Sequence, residues 1–179
     1  MMKPTLDSPP RTLMEVYKSL PEGTLVELIE NNIYMSPAPL YNHQKTLQKI
    51  FVSLDSNVTE KGLGDVLIAP FDVYLDEESN AVQPDIIVVL GANQKIIDKQ
   101  GHIHGAPDMI IEILSDGNKD HDKIKKRALY ERFGVKEYWM VDPETKLATG
   151  LTLKNQKYEP IAEQEGKISS LLLNTEISF

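Results

Sequence analysis

Two stretches of the chain are apolar at consecutive rather than alternate positions. Residues 84–90 read Pro-Asp-Ile-Ile-Val-Val-Leu and residues 107–114 read Pro-Asp-Met-Ile-Ile-Glu-Ile-Leu. Both are short and rich in β-branched side chains, the pattern of strands covered on both faces. Residues 137–141, Glu-Tyr-Trp-Met-Val, fit the same description. Side chains alternate along a strand, so Asp85 shares a face with Ile87 and Val89, and Glu112 shares one with Asp108, Ile110 and Leu114. Asp108 is four residues from Glu112, roughly 13 Å at about 3.3 Å per residue, too far to ligate the same ion easily. Glu112 is the better partner for Asp85.

The second period in the sequence is helical. Residues 120–133 are charged and helix-forming, and at about 100° per residue Asp122, Lys126, Leu129, Tyr130 and Phe133 share one face. Lys126 thus lies on an aromatic and aliphatic stripe, while Lys119, Lys123, Lys125 and Arg127 fall away from its centre. Leu47, Ile50, Phe51, Leu54 and Val58 predict a long helix over about 42–61, ended by Gly62 and Gly64. Thr12 and Glu15 have capping-box spacing for a short helix running to about Leu20. Residues 24–29 and 33–36 read as a hairpin around Glu30, Asn31 and Asn32, followed after the long helix by strands at 65–69 and 71–75. Residues 91–106 read as a polar connection with room for a helical turn, and 147–153 with 157–162 as a closing hairpin. Residues 1–10 form a proline-rich leader, and 11–179 are expected to form a single domain.

Composition narrows the chemistry. With 179 residues and 41% hydrophobic content, the chain suits one domain with a substantial core. It has no cysteine, which excludes disulfides, zinc-thiolate sites, iron-sulfur clusters and thiol catalysis. No apolar run approaches the length of a membrane span, and Lys3, Pro4, Pro9 and Pro10 do not make a signal peptide. A soluble, cytoplasmic protein with no membrane partner is the expectation. The net charge of −8 repels a phosphate backbone at long range, so contact with nucleic acid has to be local. Lys119, Lys123, Lys125, Lys126, Arg127, Arg132 and Lys136 offer a basic rim, although outer lysines on a solvated helix face are the commoner case.

Two acids at strand ends and one inward amine suit metal-assisted phosphodiester hydrolysis. Each has a structural alternative: Asp85 as a turn cap, Glu112 paired with a neighbouring lysine, Lys126 paired with Asp122 at i, i+4. Charged side chains are rarely buried without partners, and three at core-facing positions favour a functional reading. Ser115 has no evident histidine partner for serine catalysis. His102-Ile103-His104 has a metal-like look, but sits in a loop without a third ligand and reads as incidental. Tyr138 and Trp139 read as core. Asp72, in the strand beside the site, is a candidate supporting residue.

The ordered motifs extend further. Glu27-Leu28-Ile29, Met35-Ser36-Pro37-Ala38-Pro39 followed by His43, Gln83-Pro84-Asp85, Gly105-Ala106-Pro107-Asp108 leading to Glu112-Ile113-Leu114-Ser115, Asp122 to Lys126 to Tyr130, and Gly134-Val135-Lys136-Glu137-Tyr138-Trp139 resemble the Uma-two family of restriction endonucleases. That family is a branch of the PD-(D/E)XK nuclease superfamily, and the resemblance covers about residues 11–160. It implies an α/β (α+β), restriction-endonuclease-like fold with a mixed central β-sheet flanked by helices.

The resemblance also implies roles. Asp85 matches the Asp of the PD element, Glu112 the second acid, and Lys126 a lysine displaced onto the following helix. The superfamily's usual lysine two residues after the second acid is Leu114 here. Glu27 matches an early-strand acid able to serve a second metal, with a solvated hairpin position as its alternative. His43 matches a histidine able to contact phosphate or water, with helix capping as its alternative. The expected activity is that of a Mg2+-dependent endodeoxyribonuclease, with Mn2+ as a substitute ion. Asp85, Glu112 and the Ile113 carbonyl would hold the ion, and Lys126 would assist the attacking water. DNA is the expected partner. Cutting both strands suggests a homodimer, to which Leu171, Leu172 and Leu173 offer an apolar edge. The alternatives are a catalytically inactive module of the same fold that binds nucleic acid or protein, and an enzyme acting on another phosphate ester.

Overall fold

The computed structural model describes residues 9–115 and 121–179, the side chains of residues 121–123 excepted. The three runs that are apolar on both faces become the middle of the main sheet: β6 (Ile86–Leu90), β8 (Met109–Ile113) and β9 (Glu137–Val141). With β3 (Gly64–Ile68), β10 (Leu147–Lys154) and β11 (Lys157–Glu165) they form a six-stranded sheet in the order β11-β10-β9-β8-β6-β3. The pair β8 and β9 is parallel and the others are antiparallel. A parallel pair needs a crossover, and the segment between them supplies a helix.

Alternation along these strands creates two cores. Ile87, Val89, Ile110, Leu114, Tyr138 and Met140 face one side, where Leu129 and Tyr130 of α3 (Arg127–Phe133) pack. Ile86, Val88, Met109, Ile111, Ile113, Trp139 and Val141 face the other, against Leu47, Ile50, Leu54 and Val58 of α2 (Tyr41–Val58). The result is an α+β arrangement, a mixed sheet with a helix on each face. Gly150 of β10 lies opposite Trp139, and a Cβ there would come within 2.4 Å of the indole. The ring therefore occupies the space a side chain would need.

A second sheet carries the rest of the candidate chemistry. Its order is β2-β1-β5-β4-β7, from β1 (Val26–Ile29), β2 (Asn32–Met35), β4 (Val73–Tyr74), β5 (Ala81–Val82) and β7 (Ile103–His104). The β1–β2 hairpin closes through Glu30 and Asn31, with φ of 49° and 61°, as a two-residue hairpin turn with left-handed positions requires. Val26 and Leu28 pack with Met14 and Tyr17 of α1 (Leu13–Ser19), while Ile29 joins the α3-side core. That alternation turns Glu27 toward the main sheet.

The structure departs from the sequence reading in several places. The long helix ends at Val58, and the hairpin β12 (Lys167–Ser170) with β13 (Thr175–Ser178) was not foreseen. Ile168 and Ile177 fill the α2-side core, and Leu172 and Leu173 pack against it. Of the proposed apolar edge, Leu171 alone is counted among the exposed large side chains, at 59%. The charged helix begins as a π-helical turn, His121–Lys126, before α3, so a uniform 100° step does not describe its first turn. Residues 1–8 of the leader, Lys119 and the side chains of Asp122 and Lys123 lie outside the described residues. Among the described residues no helix is long and apolar enough to cross a membrane.

Candidate active site

The β6–β8 register pairs Ile86 with Ile111. Carried one residue further, it places Asp85 across from Glu112, at the separation of directly opposed side chains. The Ile113 N–H donates to Asp85 Oδ2 at 2.7 Å, and His43 Nε2 lies 3.1 Å from the same oxygen. A carboxylate only accepts, so the Nε2 proton of His43 points at Asp85. His43 is in the first turn of α2, where the helix has Leu40 as its N-cap and no side-chain cap. Its alternative role as a helix cap is thereby replaced by contact with the first acid.

Glu112 is 3% exposed. Its Oε1 accepts from Lys126 Nζ at 3.0 Å and from the Tyr130 hydroxyl at 2.7 Å. Burial, and then the nearby charges of Glu112 and Glu27, push the Tyr130 hydroxyl well above the usual tyrosine range, so it stays protonated as a donor. Lys126 Nζ also lies 3.0 Å from Glu27 Oε1. Glu27 is 5% exposed, which corrects its alternative as a solvated hairpin residue. The turn preceding α3 therefore delivers an amine to the second acid, on the face where Leu114 is packed into the core.

A polar chain continues from Glu27. The Gln83 N–H donates to Glu27 Oε1 at 2.9 Å, and Gln83 Nε2 donates to Asp72 Oδ1 at 2.8 Å. Asp72 also accepts from the Tyr17 hydroxyl at 2.7 Å. Asp72 lines a separate cleft of about 300 Å³ and connects to the acidic residues through Gln83. Asp108 sits apart, accepting from Lys136 Nζ at 2.6 Å and from the Leu90 N–H at 2.8 Å.

Asp85, Glu112, Ile113, Lys126, Glu27 and His43 all line one cleft of about 520 Å³. Asp142 and Glu144 stand at the same cleft. Among the described residues, five carboxylates thus line it with Lys126 and His43 as the basic side chains, an excess of negative charge that suits divalent cations with oxygen ligands. The basic rim is weaker than its sequence suggests. Arg132 pairs with Glu30 and Lys136 with Asp108, while Lys125 donates to the Tyr34 hydroxyl.

The family model for Uma2, described as "putative restriction endonuclease", matches residues 14–178. The chain belongs to the Uma2 family. Its structure is similar to the crystal structure of a protein from Anabaena variabilis described as a putative nuclease belonging to DUF820. That similarity has a TM-score of 0.72 and 23% identity, and covers 92% of each chain. At this identity the likeness carries the restriction-endonuclease-like fold. No curated protein matches the chain.

For this Uma2 protein, sequence reasoning gave Tyr130 and Gln83 no chemical role. Tyr130 was visible on the apolar stripe and in the ordered family motifs but not as a donor, and the link from Gln83 to Glu27 and Asp72 runs between neighbouring strands of the second sheet that are far apart in sequence. The reading of His102 and His104 needs correction, because Asp98 supplies the third donor it lacked. Asp98 was not singled out because residues 91–106 carried no strand signal. Ile103 and His104 instead pair with Val73 and Tyr74.

Proposed function

We propose that this Uma2 protein is a Mg2+-dependent endonuclease that hydrolyses phosphodiester bonds in DNA. The observation that supports this most is the meeting of Asp85, Glu112 and the Lys126 ammonium in one cleft with an excess of carboxylates. The oxygen donors fit a hard divalent ion. Asp85 and Glu112 would hold it, with the Ile113 carbonyl as the third donor, and Mn2+ would substitute. When bound, the ion supplies Lewis-acid polarisation of a phosphoryl oxygen and makes water more acidic.

The protein's own groups do the remaining work. Ile113 N–H and His43 fix the orientation of Asp85, and Tyr130 and Lys126 fix that of Glu112. Lys126 would hold water against the phosphate and offset charge that develops in an in-line attack. Glu27 holds the ammonium from its other side, and Asp72 steadies Glu27 through Gln83.

The test is nicking of supercoiled DNA by purified protein in Mg2+, with chelator controls and with linear duplex, single strands and RNA as competing substrates. Asp85→Ala, Glu112→Ala and Lys126→Ala are each expected to abolish the Mg2+-dependent nicking. Wild-type rates in all three variants would remove the assignment. DNA binding by the wild type without any cleavage, together with no affinity for Mg2+ or Mn2+, would make the chain a binding module of the same fold.

A further inference from the structure

We infer that Asp98, His102 and His104 form a zinc site separate from the acidic cleft. One oxygen of Asp98 and one ring nitrogen from each histidine lie within 4.8 Å of one another. Asp98 Oδ2 is 3.5 Å from His102 Nδ1 and 3.3 Å from His104 Nε2. These separations are long for charge-assisted hydrogen bonds, which run about 2.7–2.9 Å. They match the edges of a tetrahedron around zinc, where ligand distances of about 2.0–2.2 Å put donors about 3.3–3.5 Å apart. Two imidazoles and a carboxylate are a ligand set that zinc takes, softer than the carboxylate-rich set of the main cleft.

The surroundings preorganise these donors. Asp98 Oδ1 accepts from the Gln100 and His102 N–H groups at 2.8 and 2.9 Å, which leaves Oδ2 turned toward both rings. The Asp98 N–H donates to the His102 carbonyl at 2.9 Å, closing the loop that carries the ligands. His102 and His104 are two residues apart in extended backbone and project to one side, while Ile103 between them is fully buried. His104 Nδ1 is held by Glu77 Oε1, and Lys18 Nζ donates to Glu77 Oε2 at 2.8 Å. A carboxylate on the far nitrogen of a ligating histidine is the outer-shell arrangement that fixes the tautomer and raises ligand basicity. His104 also stacks on Tyr74, with centroids 5.1 Å apart and planes at 17°. The ion would pin the 98–104 loop to the edge of the second sheet, the sheet that carries Glu27.

Chelator-treated full-length protein titrated with zinc by calorimetry tests the site, with cobalt absorption reporting tetrahedral geometry. The wild type is expected to bind one tight equivalent, to show the intense visible bands of tetrahedral cobalt, and to gain thermal stability from zinc. Asp98→Asn and His104→Gln should each weaken binding at least tenfold and lose the cobalt bands. Glu77→Gln should weaken it about 10–100-fold. Asp85→Asn and Glu112→Gln, which alter the other cleft, should leave zinc affinity unchanged. No tight zinc equivalent in the wild type, or affinity unaffected by Asp98→Asn and His104→Gln, would overturn the site.

Discussion

At the scale of single residues, Lys126 carries the most consequence. It is 6% exposed and lies 3.0 Å from both Glu27 and Glu112, so two nearly buried carboxylates are held near one ammonium. Lys126→Met keeps much of the side-chain volume but leaves those carboxylates facing each other without it. Breaking a buried ion pair in this way costs about 3–5 kcal/mol. The expected result is a large fall in Tm for Lys126→Met in chelator, with part of the loss restored by Mg2+ if the cation takes over the charge balance. A Tm equal to wild type in chelator would mean that the lysine is not what holds these acids together. The two acids and the lysine were legible because strand alternation and helix phase are local properties. Tyr130 as a donor to Glu112, and Gln83 as the link between Glu27 and Asp72, were not. Their roles depend on which strand becomes whose neighbour.

At the scale of elements, the runs apolar on both faces predicted the central strands, because burial on two sides leaves a signature in composition alone. The short strands escaped for the opposite reason. β5 and β7 contain two residues each, too few to show a period, and β12 and β13 owe their burial to α2 and the sheet edge. The anchoring of α3 is likewise tertiary. Glu131 accepts from Lys157 Nζ at 2.8 Å and from the Tyr158 N–H at 2.7 Å, tying the helix that follows Lys126 to β11. The Lys157 ammonium, and then the Tyr158 N–H, hold the Glu131 carboxyl below its ordinary value of 4.5. A lowered folded-state value contributes stability that is fully present above the unfolded value and is lost as pH falls through the folded one. Glu131→Gln should therefore lower Tm near neutrality, and the gap from wild type should close as the pH drops below 4.5. A gap that stays constant across the acid range would assign the effect to packing instead of charge.

At the scale of the whole molecule, charge decides how a polyanion approaches. The chain has a formal net charge of −8, acids outnumber basic groups among the described charged side chains of the cleft, and Arg132 and Lys136 are already paired with Glu30 and Asp108. Counterion release from lysine and arginine, the usual source of affinity for DNA, is therefore a small reserve here. Divalent cations held by the cleft acids would reverse the local sign where the scissile phosphate must sit. DNA binding should thus depend on a divalent ion, and anisotropy with a labelled duplex measures it directly. Ca2+, which shares the oxygen-ligand chemistry, allows binding to be followed apart from turnover. Wild type should bind in Ca2+ and lose at least tenfold in affinity in chelator at matched ionic strength, whereas an Asp85→Asn, Glu112→Gln double variant should bind weakly in both. Equal affinity of the wild type with and without the ion would place the DNA on another face of the protein, and the acidic cleft would then need a different substrate.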